Sequence, residues 1–221
     1  MKNSVQKLLL PWFLIVAIST QAQQPPFYDE IQAFKKQDKT KHPPQHAILF
    51  VGSSSFNFWK DVQSYFPDYT IINRGFGGSS LTDVIHYAND IIFPYHPKQI
   101  VIYCGDNDLA ASDTVSPQTV FQRFKTLYSL IQNKLPHEPV VYVSIKPSPS
   151  RERLMPKMEE VNRLIKKFLS TQKNAGFADV YHLMLTKDRK PIPAIFTSDS
   201  LHMNAKGYAI WKKAIEPYLL K

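Results

Sequence analysis

The sequence predicts an α/β fold in which a parallel sheet carries helices on both faces. Three observations predict it. Strand-like and helix-like segments alternate along the chain, the strand-like runs are short and continuously apolar, and Gly- or Ser-rich turns fall directly after those runs. Alternation of this kind builds strand–helix–strand crossovers. Continuous apolar runs mark strands covered on both sides. In such folds reactive groups collect at the carboxyl ends of the strands.

Strands are expected at Ala47–Val51, Thr70–Asn73, Gln99–Cys104, Val140–Ile145 and Ala178–His182. A short helix around Tyr28–Lys36 lies in a lead-in, residues 23–46, that carries Pro25, Pro26, Pro43 and Pro44 and packs on a main domain of residues 47–221. Phe58, Trp59 and Tyr65 suit a helix over Phe56–Phe66, and Leu81–Ile92 reads as the next. Pro117–Leu135 is a long helix with Ser116 placed to cap it and Pro117 in its first turn. Met158, Val161, Leu164, Ile165 and Leu169 recur at three-and-four spacing within a helix over Arg151–Gln172. Asn204–Leu220 is the last helix, and Pro147, Pro149 and their neighbouring serines form a loop after the fourth strand.

Residues 1–22 are set apart. Lys2 and Lys7 precede the apolar run LLLPWFLIVAIS, and Thr20 and Ala22 are small residues before a cut after Ala22, which is the order of a secretory signal peptide. The run is shorter than the ~20 residues a spanning helix needs, and Pro11 interrupts it. A secreted or periplasmic chain without stable membrane insertion is expected, with an uncleaved anchor as the alternative. Removing this segment takes two lysines and no acid, so the formal charge falls from +9 to +7. The remaining basic residues are scattered in pairs such as Lys35-Lys36, Lys166-Lys167 and Lys212-Lys213, the pattern of solvated helix faces rather than of a nucleic-acid stripe. Cys104 is the single cysteine, so no intrachain disulfide is available, and its place after an apolar run fits a buried thiol better than a catalytic one.

Four segments carry chemistry. Gly52-Ser53-Ser54-Ser55 follows the first strand, where a serine can serve as nucleophile while its own N–H helps bind an oxyanion. Helix capping is the plainer reading of that turn. Asn73-Arg74-Gly75-Phe76-Gly77-Gly78-Ser79 follows the second strand, and its glycines mean a sharp turn or a close approach to a ligand. No complete phosphate or dinucleotide fingerprint is present. Gly105-Asp106-Asn107-Asp108 follows the third strand and offers a neutral amide donor, or simply a turn. No acid or His cluster completes a metal site around its two aspartates. Asp199-Ser200-Leu201-His202 places an acid and an imidazole three residues apart, close enough for the acid to fix the imidazole tautomer.

The ordered set Gly-x-Ser-x, Gly, Gly-x-Asn-Asp and Asp-x-x-His resembles the SGNH hydrolases, also called GDSL-type esterases and lipases, over about residues 47–220. The resemblance implies a flavodoxin-like, three-layer α/β/α sandwich with a mostly parallel five-stranded sheet, and neither metal nor organic cofactor. It implies Ser54 as nucleophile, Asp199 and His202 as its partners, and an oxyanion hole from the N–H groups of Ser54 and Gly78 and the side chain of Asn107. Two positions depart from the family pattern: Ser53 stands for the usual Asp of Gly-Asp-Ser-Leu, with Ser55 for its Leu, and Ser79 stands where many relatives carry an Asp. The expected reaction is hydrolysis of short-acyl esters, acetyl groups on carbohydrate or similar small substrates, with Arg74 and Lys146 as candidate substrate contacts. A lysophospholipase-like or platelet-activating-factor acetylhydrolase-like enzyme is the lipid alternative. A glycan-binding module that has lost its chemistry is the non-enzymatic one.

Overall fold

The computed structural model describes residues 24–221; the expected signal peptide lies outside the described residues. Five strands form one sheet: β1 (Ile48–Gly52), β2 (Ile71–Gly75), β3 (Gln99–Tyr103), β4 (Val140–Val143) and β5 (Ala175–Ala178). Their order is β2-β1-β3-β4-β5, and every neighbouring pair is parallel. The apolar runs of β1, β3 and β4 are buried at every position, as covering on both faces requires.

Alternate side chains divide the core. Leu49, Val51, Ile100, Ile102, Val140 and Tyr142 face one layer, built from α1 (Tyr28–Thr40), α4 (Leu81–His86), α5 (Ala88–Ile91), α6 (Asp106–Ala110), α7 (Pro117–Lys134) and α8 (Met155–Leu169). Ile48, Phe50, Val101, Tyr103, Val141 and Val143 face the other, built from α2 (Ser54–Asn57), α3 (Val62–Tyr65) and α9 (Ala205–Ile215). The second layer centres on aromatic rings: Trp59 stacks on Tyr208 at 4.7 Å, and Trp211 meets Phe56 edge-on at 5.8 Å. The fold is thus the three-layer α/β/α sandwich, with a fully parallel sheet.

Ser116 caps α7 as expected, accepting from Thr119 N at 3.1 Å. Three expectations need correction. The segment Phe56–Phe66 is two short helices, because the Asn73 side chain of β2 donates to the carbonyls of Phe56 and Trp59 and ends the first. Leu81–Ile92 likewise divides into α4 and α5 at Tyr87, whose hydroxyl donates to Pro26 O. The fifth strand is Ala175–Ala178 rather than Ala178–His182: Ser144 Oγ accepts from Val180 N and Tyr181 N, which draws the chain off the sheet. Among the described residues, no helix is long and apolar enough to cross a membrane.

Candidate active site

The chemistry-bearing turns meet at the carboxyl edge of the sheet. Gly52 ends β1 at φ +141°, and a Cβ there would lie 1.9 Å from Tyr103 O, so only glycine admits the turn. Ser53, Ser54 and Ser55 follow it. Ser53 and Ser55 are buried, at 1% and 2% exposure, and Ser54 alone is partly open. Burial thus separates three serines that composition leaves equivalent.

Ser54 Oγ lies 3.0 Å from His202 Nε2, and His202 Nδ1 lies 2.5 Å from Asp199 Oδ2. A carboxylate only accepts, so Nδ1 carries the proton and Nε2 is left to accept from the serine hydroxyl. Asp199 Oδ1 takes three further hydrogen bonds, from Thr197 Oγ1 and from the N–H groups of Leu201 and His202. Partial burial pushes the Asp199 carboxyl up, but those bonds together with the His202 ring outweigh it and hold the group well below the usual carboxylate range. Ser200, at φ +57°, closes this loop, and Thr197 N donates to His202 O at 2.8 Å across it. Asn204 then caps α9 by accepting from Lys206 N and Gly207 N.

Gly78 and Asn107 are neighbours. A Cβ at Gly78 would lie 3.8 Å from Asn107 Nδ2. That amide nitrogen donates to Ser79 O at 3.0 Å, while Asn107 Oδ1 accepts from Arg151 Nη2 at 2.8 Å. Arginine has no acceptor, so it fixes which way the amide faces and leaves one Asn107 N–H uncommitted. Ser79, in the position many relatives fill with Asp, is fully buried and donates to Gly52 O at 3.2 Å, tying the glycine loop to β1.

Sequence reasoning missed the ionic layer beneath. Asp106, 4% exposed, lies 2.9 Å from Arg151 Nη1 and 3.5 Å from Lys146 Nζ. The Arg151 contact is close but poorly aligned, and both Arg151 Nη1 and Asp106 Oδ1 lack a well-formed hydrogen bond. Burial pushes the Asp106 carboxyl up, and Lys146 and Arg151 more than reverse that, leaving it lowered. Burial also lowers the Lys146 ammonium, and Asp106 restores only part of the shift. We expect Asp106→Asn to cost about 3 kcal/mol of stability, the low end for breaking a buried pair, because Lys146 can shed its proton. The carboxyl's folded value is depressed, so this stabilisation is present above its ordinary value of 3.8 and is lost as pH falls through the folded value. Urea melts of the two proteins should therefore differ at pH 7 and converge in acid.

Arg74 and Lys146 were expected as substrate contacts, and burial corrects both. Lys146 is 1% exposed beneath Asp106. Arg74 is 7% exposed, ion-paired with Asp38, bonded to Tyr95 Oη at 2.6 Å and flanked by the Phe34 and Tyr95 rings. It fastens α1 to the sheet. Cys104 is fully buried, with its thiol pushed up by that burial and therefore protonated. Arg151 left no local signal, since it lies eight residues beyond the end of β4, in a helical turn over Pro149–Leu154.

Comparison with known proteins bears on the family and the fold. Residues 43–210 match the model of the GDSL-like Lipase/Acylhydrolase family, and the chain belongs to that family. It is accordingly a carboxylic ester hydrolase. Similar solved structures include a candidate platelet activating factor protein from Streptococcus pneumonia (TM-score 0.75, 20% identity, 87% of this chain and 92% of that one). They also include a GDSL-like lipase from Bacteroides thetaiotaomicron (0.71, 19%, 85% and 95%). An acetyl-xylooligosaccharide esterase from Geobacillus stearmophilus is more distant (0.61, 13%, 80% and 96%). At these identities the likeness establishes the fold. The chain is also 25% identical over 173 residues to the N-acylneuraminate cytidylyltransferase of Escherichia coli O18:K1:H7, spanning 76% of itself but only 39% of that protein.

Proposed function

We propose that the chain is an exported serine esterase that releases short acyl groups, acetyl above all, from a carbohydrate or similar small alcohol. The observation that carries the reading is the continuous chain from Ser54 Oγ through His202 to Asp199. His202 takes the Ser54 proton as the hydroxyl attacks the ester carbonyl, and Asp199 steadies the imidazolium. The oxyanion is held by the N–H groups of Ser54 and Gly78 and by the free Asn107 N–H. His202 then gives its proton to the leaving alcohol and activates the water that releases the acid.

The small-substrate reading rests on how little apolar surface adjoins the serine. Among the described residues the exposed large apolar side chains are Phe58, Leu183, Tyr218 and Leu220. Phe58, 51% exposed, meets the His202 ring edge-on at 4.6 Å. His202 protonates the leaving alcohol, so Phe58 flanks the alcohol side, where an aromatic face suits the apolar face of a sugar ring. The similarity to an acetyl-xylooligosaccharide esterase supports the same substrate class.

Acetate release from acetylated xylooligosaccharides, run beside p-nitrophenyl esters of rising chain length, tests this. Acetyl esters should be preferred, and Phe58→Ala should raise KM for the oligosaccharide by about tenfold, the loss of roughly 1.4 kcal/mol of contact. A preference for chains longer than about eight carbons would transfer the reading to a lipid esterase. Export predicts that the mature protein begins at Gln23, which N-terminal sequencing reads directly.

A further inference from the structure

The glycine loop after β2 is held from outside the sheet by the lead-in helix. Glu30 Oε2 accepts from Gly77 N at 2.9 Å and from Asn57 Nδ2 at 3.2 Å. Asn57 is the last residue of α2, the helix that begins at Ser54. One carboxylate oxygen therefore joins the nucleophile's helix to the loop that carries Gly78. The close approach depends on Gly77, whose φ is +27°. A Cβ there would lie 2.5 Å from the Phe27 ring and 2.8 Å from Glu30 Oε1. Phe27 also meets Phe76 edge-on at 5.3 Å. The Arg74–Asp38 ion pair and the Tyr87 bond to Pro26 O anchor the same segment at other points.

We propose that Glu30 is a positioning residue for the esterase reaction and that α1 is thereby a working part of the active site. The proposal rests on the reading that Ser54 and Gly78 donate to the oxyanion. By engaging Gly77 N–H, Glu30 fixes the plane of the Phe76–Gly77 peptide and leaves the next N–H, that of Gly78, to the substrate. By holding Asn57 with the same oxygen it fixes the spacing between α2 and the loop. Bonds to a carboxylate are among the stronger ones, and a misplacement of about 1 Å can cost about 10²-fold in rate.

The test compares Glu30→Ala and Glu30→Gln with the parent, with turnover counted per site titrated by a fluorophosphonate. Glu30→Ala should lower kcat per site by about 10- to 100-fold and move KM by less than about threefold, because the loss falls on the transition state. Glu30→Gln should stay within about threefold of the parent, since a single amide oxygen still accepts both bonds. Amide exchange gives a readout apart from catalysis: Gly77 N–H should be protected in the parent and in Glu30→Gln, and exchange fast in Glu30→Ala. Turnover at the parent rate per site in Glu30→Ala, a loss accounted for by fewer titratable sites, or undiminished protection of Gly77 would each overturn the proposal. A parent that hydrolyses none of the esters would instead defeat the functional reading and this proposal's premise with it, whereas undiminished Gly77 protection in Glu30→Ala would overturn the Glu30 contact on its own.

Discussion

Ser54→Ala should lower kcat for p-nitrophenyl acetate by about 10⁴- to 10⁶-fold, the loss seen when a nucleophile acting in concert with its base is removed. Folding should be nearly unchanged, since Ser54 is partly open and its backbone bonds do not need the hydroxyl. Intact-mass measurement after fluorophosphonate treatment should show one adduct on the parent and none on the variant. Ser53→Ala and Ser55→Ala are the decisive controls. Both serines are buried, so both variants should still label. Labelling that survives Ser54→Ala would end the assignment.

Asn107→Ala has the next largest expected effect, a fall in kcat of about 10²- to 10³-fold with little change in KM. The side chain makes two bonds, to Ser79 O and from Arg151. Its loss should therefore also cost about 1 kcal/mol of stability, which a thermal melt separates from the kinetic effect. Asn107→Asp sharpens the test. It keeps the shape and can still accept from Arg151, but it has no N–H to offer an oxyanion. Activity near the parent level in either variant would remove Asn107 from the reaction.

The segments bearing Ser54, Gly78, Asn107, Asp199 and His202 were legible because each is a local pattern: a turn after an apolar run, or an acid and an imidazole three residues apart. Glu30 and Arg151 were not. Glu30 acts on Gly77, 47 residues away, and Arg151 on Asn107, 44 residues away. No short pattern records such pairs. Arg74 shows the converse failure. Its place after a strand suggested substrate, but its side chain lies on the face that α1 covers, and only the packing of Phe34, Asp38 and Tyr95 reveals that. The division of Phe56–Phe66 had no local cause either, because the group that ends the first helix is Asn73 on a neighbouring strand. The parallel sheet and its two-sided core were readable from the apolar runs and their alternation with helices. The displaced fifth strand was not, since Ser144 decides where the chain leaves the sheet.

The loop from Thr197 to His202 has one more consequence. Asp199 and His202 share a single turn, closed by Ser200 in the left-handed region and pinned by Thr197 and by the Phe196–Met203 bridge. Ser54 approaches from the far end of the chain, 148 residues earlier. The two contacts of the imidazole therefore have different mechanical characters. The one to the carboxylate is internal to a small rigid cassette and survives any movement of that cassette as a body. The one to the serine is a gap between two separately supported pieces, with α9 behind one and the sheet behind the other. Sequence change that shifts α9 would tune the gap while leaving the proton on the same imidazole nitrogen.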